Sequence, residues 1–203
     1  MSNLPKFRFE CIRCGTCCTD GNTIVNLTHT DILRLSKGLK LTLDELLEVI
    51  GFYIFEKKIT ESDISKMVIT PIMTERGLSF PGLKKNSEGI CYFYNTNENK
   101  CRIYKIRPNF CRTFPFSFEY GERNVAENQK LVKINLAYKG SEYCPGLDDK
   151  YPDIDLEKWI ELGKKVLENL AENEKFVQSW NQKLKKIKTK PIAKGYLNEI
   201  LNS

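Results

Sequence analysis

The eight cysteines of this 203-residue chain constrain its fold more than any other feature, because four of them lie within residues 11–18. The segment "FECIRCGTCCTDG" holds Cys11, Cys14, Cys17 and Cys18, and the last two are neighbours in the chain. A disulfide between adjacent cysteines is strained, so this pair fits a disulfide framework poorly. The thiols therefore need another explanation, and so do those that follow. The later cysteines are Cys91, Cys101, Cys111 and Cys144.

The N-terminal sequence and the hydropathy of the chain indicate a reducing compartment. "MSNLPKFRFE" lacks the apolar stretch of a signal peptide, and no apolar run is long enough to span a bilayer. We therefore expect a soluble, cytoplasmic protein with no membrane segment. Cytosolic thiols are held reduced, and clustered cysteines in such proteins are typical of metal sites or redox groups. We predict that all eight cysteines are metal ligands.

Local signals predict a helical insertion at about residues 29–65. "NTIVNLT" alternates apolar and polar residues and predicts a short strand before it. "THTDILRLSKG" predicts a helix with Thr28 as its N-cap and Gly38 as its end. "LTLDELLEVIGFYIF" predicts a second helix, which begins with a capping box between Thr42 and Glu45. The core-facing residues of this second helix are Leu43, Leu46, Leu47, Ile50 and Ile54.

From Lys66 to Tyr138 the sequence consists of short β-branched and aromatic runs separated by turn residues. The runs are "KMVITPIM", "GICYFYN", "KCRIY", "FPFSFEY" and "KLVKINLAY", and they predict a small antiparallel sheet. "YNTNENKCRIY" predicts a hairpin, with Cys91 and Cys101 on its two arms. Together with the helices, these strands predict an α+β fold around a small cysteine-rich metal-binding core.

Beyond Cys144 the sequence becomes helical. "DIDLEKWIELGKKVLENLAENEKFVQSWNQKLKKI" predicts a long amphipathic helix, broken near Asn173 and ended by Pro191, and "IAKGYLNEILN" predicts a last short helix. We therefore expect a metal-binding domain at residues 1–150 and a helical extension at 151–203 that packs on the core or on a protein partner. The apolar stripe of the long helix comprises Trp159, Leu162, Val166, Leu170, Val177, Trp180, Leu184 and Ile187.

The net charge of +6 is mild, with 32 basic residues against 26 acidic ones. Much of the excess lies in "KLKKIKTKPIAKG" near the C-terminus, which indicates a solvated, lysine-rich helix end. No aromatic residues are interleaved there and no nucleic-acid module is recognised, so we do not expect nucleic-acid binding.

The spacing of Cys11, Cys14 and Cys17 is C-x2-C-x2-C, a tight loop that brings three thiolates to three corners of a 4Fe–4S cluster. Ferredoxin-type runs take a further cysteine from elsewhere, followed by proline, and Cys144-Pro145 has that form. Zinc is the competing metal, because C-x2-C pairs also supply tetrahedral four-thiolate sites. The three-cysteine run favours iron–sulfur for at least one centre, with zinc or iron as the alternative or as a second site.

Two features of the N-terminal loop bear on how its thiols are shared. Gly15 allows the backbone to curl close to inorganic sulfide and to offer N–H donors to it. If the chain is extended here, Cys18 points away from Cys17 and is free to serve a second centre.

Arginines flank the later cysteines in "KCRIYKIRPNFCRTFPFSF". Thiolate-rich centres carry negative charge, so nearby guanidiniums would stabilise them and shift a redox potential. We therefore predict that Arg107 and Arg112 lie close to the cofactor, and Arg102 belongs to the same group. Anchoring an anionic substrate is an alternative role for Arg107 or Arg112, and exposure at the surface without a role is another.

The motifs "FECIRCGTCC", "CRIYKIRPNFCRTFPF" and "CPG" resemble the CxxCxxCC, or YkgJ-like, family of zinc- or iron-chelating domains. The resemblance covers about residues 7–147, and its two longer motifs, which are separated in the chain, agree in order and residue type. It implies a metal or iron–sulfur centre held by the cysteines. A related domain occurs in flagellin lysine N-methylase, where an iron–sulfur cluster is implicated. The resemblance implies nothing for the C-terminal helices.

Three kinds of function stay open at this point. The first is a 4Fe–4S, zinc or iron protein that transfers electrons or delivers a metallocluster within a larger complex, with the C-terminal helices as the docking element. The second is a cluster- or iron-dependent modifying enzyme, for example one that methylates protein, and the third is a structural zinc module. His29 is the only histidine, which removes HExxH metalloproteases and Ser-His-Asp hydrolases, and no dinucleotide or P-loop motif occurs.

Overall fold

A computed structural model describes residues 6–55, 57, 59–65, 67–124, 129–187 and 192–203 of the chain. Within them the helices are α1 (Thr16–Thr19), α2 (His29–Leu39), α3 (Leu43–Val49), α4 (Glu61–Ser65), α5 (Asn109–Thr113), α6 (Tyr138–Tyr143), α7 (Leu156–Ile187) and α8 (Ala193–Leu201). The strands are β1 (Ile50–Ile54), β2 (Ile72–Thr74), β3 (Gly77–Leu83), β4 (Tyr94–Asn95), β5 (Lys100–Cys101), β6 (Phe116–Asn124) and β7 (Gln129–Leu136). A single 3-10 turn, Tyr104–Ile106, follows β5.

These strands form three separate antiparallel sheets within the described residues. The first has the order β1-β3-β2, and the other two are the hairpins β4-β5 and β6-β7. The predicted α+β class is therefore confirmed, although the strands are divided among three small sheets where one was expected. In the part of the chain that the structure describes, no helix has the length and apolar character needed to cross a bilayer.

The helical insertion begins as its capping signals predict. The Thr28 hydroxyl accepts a hydrogen bond from the Asp31 amide at 3.1 Å, and the Asp31 carboxylate accepts one from the Thr28 amide. Thr42 and Glu45 form the second capping box in the same way. α2 ends at Leu39, one residue after the predicted end at Gly38. The left-handed residue that closes the helix is Lys40, with φ 56°.

The second predicted helix is too long. It ends at Val49, and the next five residues form β1, which pairs with β3 in the register Ile50↔Leu83 to Ile54↔Ser79. The β-branched and aromatic run "IGFYI" fits a pleated, half-buried surface better than a helix face. The assignment of Ile50 and Ile54 to a helix face is therefore wrong, and the pairing with β3 explains why.

Two strand predictions also need correction. "NTIVNLT" forms no strand. It is a segment that runs alongside β3, where the Leu27 N–H donates to the Pro81 carbonyl at 2.9 Å. The hairpin in "YNTNENKCRIY" is confirmed as β4-β5, with Tyr94 opposite Cys101. Cys91 lies three residues before the first arm, where it forms an isolated bridge with Lys85.

The C-terminal helices lie against the rest of the described chain. α7 contacts β2, β6, β7 and α2, and α8 contacts α2 and α3. α7 continues without a break through Asn173, whose amide oxygen instead accepts from the His29 amide at 2.8 Å. The last short helix is confirmed as α8, and Pro191 lies outside the described residues.

The apolar core of the described residues lies between α2, α3, α8, α7 and the β1-β3-β2 sheet. Its fully buried members include Leu27, Ile32, Leu35, Leu46, Ile50, Ile72, Leu83, Val177, Tyr196, Leu197 and Ile200. Cys91, Tyr94 and Ile103 extend this core toward the cysteines, and Cys18 and Cys101 pack against it. The core therefore forms the floor beneath the cysteine-bearing segments.

Candidate metal centre

The N-terminal cysteine loop ends in a single helical turn, α1. Gly15 precedes this turn with a left-handed φ of 80°, and its carbonyl accepts hydrogen bonds from the amides of Cys18 and Thr19. The expectation that Cys18 points away from Cys17 is wrong, because this expectation assumed an extended chain. In the helical turn the two sulfur atoms lie 4.0 Å apart and both line the same cavity.

Both the left-handed backbone angle at position 15 and the close approach of a neighbouring side chain require glycine there. A Cβ atom at this position would overlap the hydroxyl of Tyr94. Tyr94 is a buried residue of β4, so its ring holds α1 close to the hairpin that carries Cys101. The close approach of these two elements therefore depends on glycine at position 15.

Main-chain and buried polar contacts position the thiols of the central segment. The Cys91 amide donates to the Cys18 carbonyl at 2.8 Å, which joins the N-terminal loop to the segment before β4. α5 carries Cys111, and the buried Asp31 carboxylate accepts from the Asn109 amide at its start at 3.0 Å. The capping carboxylate of α2 thus also holds the helix that presents Cys111.

Cys144 approaches the loop from the other end of the chain. It follows α6, and its amide donates to the Gly140 carbonyl at 3.1 Å. Two residues later, Gly146 lies so close to the Glu10 carbonyl that a Cβ atom would overlap it. The "CPG" segment is therefore packed directly on the chain that enters the cysteine loop. The Cys144 thiol lies near enough to Cys14 and Cys17 for their charges to affect its pKa.

The cysteines converge on one cavity of about 520 Å³. Six of them contribute to its wall, namely Cys11, Cys17, Cys18, Cys91, Cys101 and Cys111. Cys14 and Cys144 do not line it, although the charges of Cys14 and Cys17 help to raise the pKa of Cys144, after its burial. Cys11 and Cys14 are exposed, Cys91 is buried and the other five are half-buried. The structure thus brings thiols from three segments, namely the N-terminal loop, residues 91–101 and α5, to one cavity.

The chemistry of this donor set fits a thiophilic metal. Soft thiolates select zinc and iron–sulfur clusters, and hard cations such as Mg²⁺ and Ca²⁺ prefer oxygen ligands. All eight cysteines are free thiols. Among the described residues, no three histidine, cysteine or acidic side chains are arranged as the ligands of a single metal ion. The ligand assignment of each cysteine stays a prediction.

Hydrogen bonding, burial and charge give the thiols different acidities. A hydrogen bond from the Cys18 thiol, aided by the Arg107 guanidinium, lowers the pKa of Cys17 to about 7 against the effect of burial. The same hydrogen bond, together with burial, raises the pKa of Cys18. Burial raises the pKa values of four further thiols, so a metal that binds to one of them would have to displace its proton. These thiols are Cys91, Cys101, Cys111 and Cys144.

Of the predicted arginines, the structure brings only Arg107 to the thiols. Its positive charge lowers the pKa values of Cys101 and Cys111 against their burial. Its Nε atom is buried and has no hydrogen-bond partner. Arg112 and Arg102 are exposed and do not line the cavity. Partial burial of its guanidinium and the charges of Arg34 and Arg107 lower the pKa of Arg112.

Sequence reasoning missed three groups around the thiols. Arg13 lies within the C-x2-C-x2-C loop, and it lines the cavity with its guanidinium 4.5 Å from the centre of the Tyr104 ring. Tyr94 touches the loop at Gly15. The Asp20 carboxylate accepts from Tyr143 at 3.2 Å, which ties α6 to the end of the loop. Of these, only Arg13 had a sequence signal, since it lies between two cysteines of the motif.

Comparison with known proteins also indicates a metal-binding domain. Residues 10–145 match the CxxCxxCC family model, which is described as "Putative zinc- or iron-chelating domain". The chain is also similar to "Uncharacterized protein MJ0661" of Methanocaldococcus jannaschii, with 29% identity over 170 residues that cover 81% of this chain and 72% of that protein. No solved structure matches the chain significantly. The family match covers more than half of the chain and all eight cysteines, and the chain therefore belongs to the CxxCxxCC family of zinc- or iron-chelating domains.

Proposed function

We propose that this protein binds a 4Fe–4S cluster through its cysteines, in the reducing cytoplasm, and that it transfers electrons or delivers the cluster within a larger complex. The observation that carries the proposal is the convergence of six thiols from three segments on one cavity. The C-x2-C-x2-C spacing supports iron–sulfur over zinc at the N-terminal loop.

Two features of the cavity wall support a centre with net negative charge. Arg107 places a guanidinium beside the thiols, and its buried Nε–H has no acceptor. A buried donor without a partner costs free energy, and thiolate or sulfide sulfur would serve as its acceptor. The bound cluster would supply one-electron redox chemistry. The chain itself supplies thiolates to hold it, a guanidinium to balance its charge and Tyr94 to cover the loop.

The protein partner of this proposed carrier stays a prediction. The buried side chains of α7, among them Val166, Val177 and Trp180, face the described chain. A partner would therefore meet the outer surface of the C-terminal helices, because the inner surface is already used. The lysines near the end of α7 give that surface positive charge.

A second candidate is a cluster- or iron-dependent modifying enzyme, such as one that methylates protein. It is favoured by the position of the cavity, which opens directly beside the thiols and is of the size that small molecules occupy, about 300–1,000 Å³. Three protein thiolates with one open coordination position would favour catalysis, and a full set of cysteine ligands would favour electron transfer or storage.

Anaerobic purification, followed by analysis of metal and sulfide and by a visible absorption spectrum, tests the proposal. We expect iron and acid-labile sulfide in equal amounts, with the spectrum of an iron–sulfur cluster. Cys14→Ser should lower the iron content, because the substitution removes a thiolate of the motif. Ile12→Ser is the matched control, since Ile12 is exposed in the same loop and offers no ligand. A colourless protein that contains only zinc would overturn the proposal in favour of a structural zinc module.

A further inference from the structure

Two guanidiniums meet at one aromatic ring in the wall of the thiol cavity. The Cζ atom of Arg107 lies 3.8 Å from the centre of the Tyr104 ring, and that of Arg13 lies 4.5 Å from it. Both arginines and Tyr104 line the cavity. Stacking on an aromatic face fixes the plane of a guanidinium, so its donors are held ready to bind an anion.

Neither guanidinium is neutralised by a carboxylate of the described residues. The ion pairs found there leave out both Arg13 and Arg107. The buried carboxylate of Asp31 is already paired with Arg34 at 2.9 Å and also accepts from the Asn109 amide. Two positive charges at one cavity wall repel each other, and an anion bound at that wall would reduce the repulsion.

The rest of the cavity has a different chemistry. Away from the arginines, the wall includes Phe110, Phe114, Phe116, Val166 and Leu170. A cavity of about 520 Å³ is within the usual range for small-molecule sites, which are mostly apolar with a few polar groups that fix orientation. The wall therefore offers an apolar space and a cationic end next to the thiols.

We propose that this cavity binds a small organic anion, whose carboxylate is held by Arg13 and Arg107 and whose apolar body lies against the aromatic wall. The cluster of the proposed metal centre would occupy the thiol end of this cavity and the ligand the aromatic part beside it, with Arg107 between the two, and to that extent the inference rests on the proposed metal centre. It deepens the second candidate function, because it assigns that centre a class of substrate or effector. A carboxylate suits this end because guanidinium and carboxylate form paired, parallel hydrogen bonds.

The test compares two probes that differ in charge and little in shape, 4-phenylbutyrate and 4-phenylbutanol. Binding of each to the anaerobically purified protein is measured by titration calorimetry, and the metal content of the same sample is determined. We expect the anion to bind at least about tenfold more tightly than the alcohol, because a charged hydrogen-bonded pair is lost with the alcohol. Equal affinity for the two probes would overturn the proposal.

Arginine variants locate the anion. Arg13→Met and Arg107→Met should each reduce the affinity for 4-phenylbutyrate by about tenfold and leave that for 4-phenylbutanol unchanged. Arg13 is exposed, so its variant should fold even if replacement of the half-buried Arg107 does not. Arg102→Met is the control, because Arg102 is exposed and outside the cavity wall. Equal losses in all three variants would contradict the assignment.

The two proposals fail in different ways in this experiment. Protein that contains metal but does not distinguish the probes would overturn the anion site and leave the metal centre standing. Protein that distinguishes the probes but binds no metal would do the reverse. Inorganic phosphate that binds as tightly as 4-phenylbutyrate would overturn the role of the apolar wall.

Discussion

The helical side of the molecule and its thiol side differ in what their elements are able to bury. On the helical side, α2, α3 and α8 enclose apolar side chains such as Ile32, Leu46 and Tyr196, none of which is exposed to solvent. On the thiol side, β4 and β5 have two residues each, α1 has four and α5 has five. Elements this short form few hydrogen bonds, and these do not offset the conformational entropy that is lost when their residues are ordered.

This difference teaches that the two sides need different sources of stability. Burial of apolar area accounts for the helical side, because each fully buried leucine or isoleucine contributes about 1.5–3 kcal/mol. The thiol side has polar thiols, a cavity and a buried guanidinium donor without a partner at its centre. We infer that metal ligation supplies the order that apolar packing does not.

Metal removal is the largest expected effect. A structural metal contributes on the order of 10 kcal/mol to the segments that it organises. After removal with a chelator under reducing conditions, amide hydrogen exchange should accelerate by about a hundredfold or more at residues 11–20 and 91–113. The amides of α2, α3 and α8 should change by less than about threefold. Equal acceleration on both sides would contradict the claim that the two sides have different sources of stability, because it would mean that they unfold as one unit.

Loss of a core side chain should have the next largest effect. Leu46→Ala removes a fully buried side chain on the helical side and should lower the free energy of unfolding by about 2–5 kcal/mol. The folded fraction should still bind its full complement of metal. Leu131→Ala is the control, since Leu131 is 52% exposed on β7 and its loss should cost about 0.5 kcal/mol or less. Denaturant unfolding followed by far-UV circular dichroism measures both variants.

The features of the fold that could be predicted from the sequence are those determined by residues close together in the chain. The N-cap at Thr28 and the capping box at Thr42 were predicted correctly because a cap involves residues three apart. The boundary after Val49 was missed, because the strand that follows is stabilised by β3, some thirty residues later. β3 itself was missed, since Pro81 and two glycines interrupt its apolar pattern.

The same distinction applies to the candidate site. The cysteines were recognised from their spacing and from their agreement with a family, and both are properties of the sequence alone. The pairing of Tyr104 with Arg13 joins residues 91 positions apart, so no local pattern carries it. Arg107 and Arg112 belong to one sequence motif, but only Arg107 lines the cavity, because α5 begins between them and leaves Arg112 exposed.

Alanine variants of two glycines distinguish the effect of backbone strain from the effect of close packing on the thiol side. Gly15 and Gly77 both have positive φ, so alanine should cost about 1–2 kcal/mol at either position. A Cβ atom at Gly77 meets nothing within 4 Å, and one at Gly15 overlaps Tyr94. Gly15→Ala should therefore also reduce the amount of bound metal, and Gly77→Ala should not. Metal analysis beside a thermal unfolding curve checks this, and equal metal content in both variants would contradict the role of Tyr94.

The last expected effect is a dependence on pH that only the metal-free protein shows. Burial raises the pKa of Cys91, Cys101, Cys111 and Cys144, and the hydrogen bond with Cys17 raises that of Cys18. Above the ordinary thiol pKa of about 8.5, the unfolded chain therefore holds fewer protons than the folded one, and stability falls as the pH rises.

Cys17 acts in the opposite direction, because its pKa is lowered to about 7, but it is one thiol against five. Under a thiol reductant, the free energy of unfolding of the metal-free protein should thus decrease from about pH 8 to pH 10. The metal-bound protein should lack this slope, since its thiols hold metal in place of protons. A metal-free protein that became more stable over the same range would show that the buried thiols do not stay protonated, and the contrast between the two sides would then have to be explained without them.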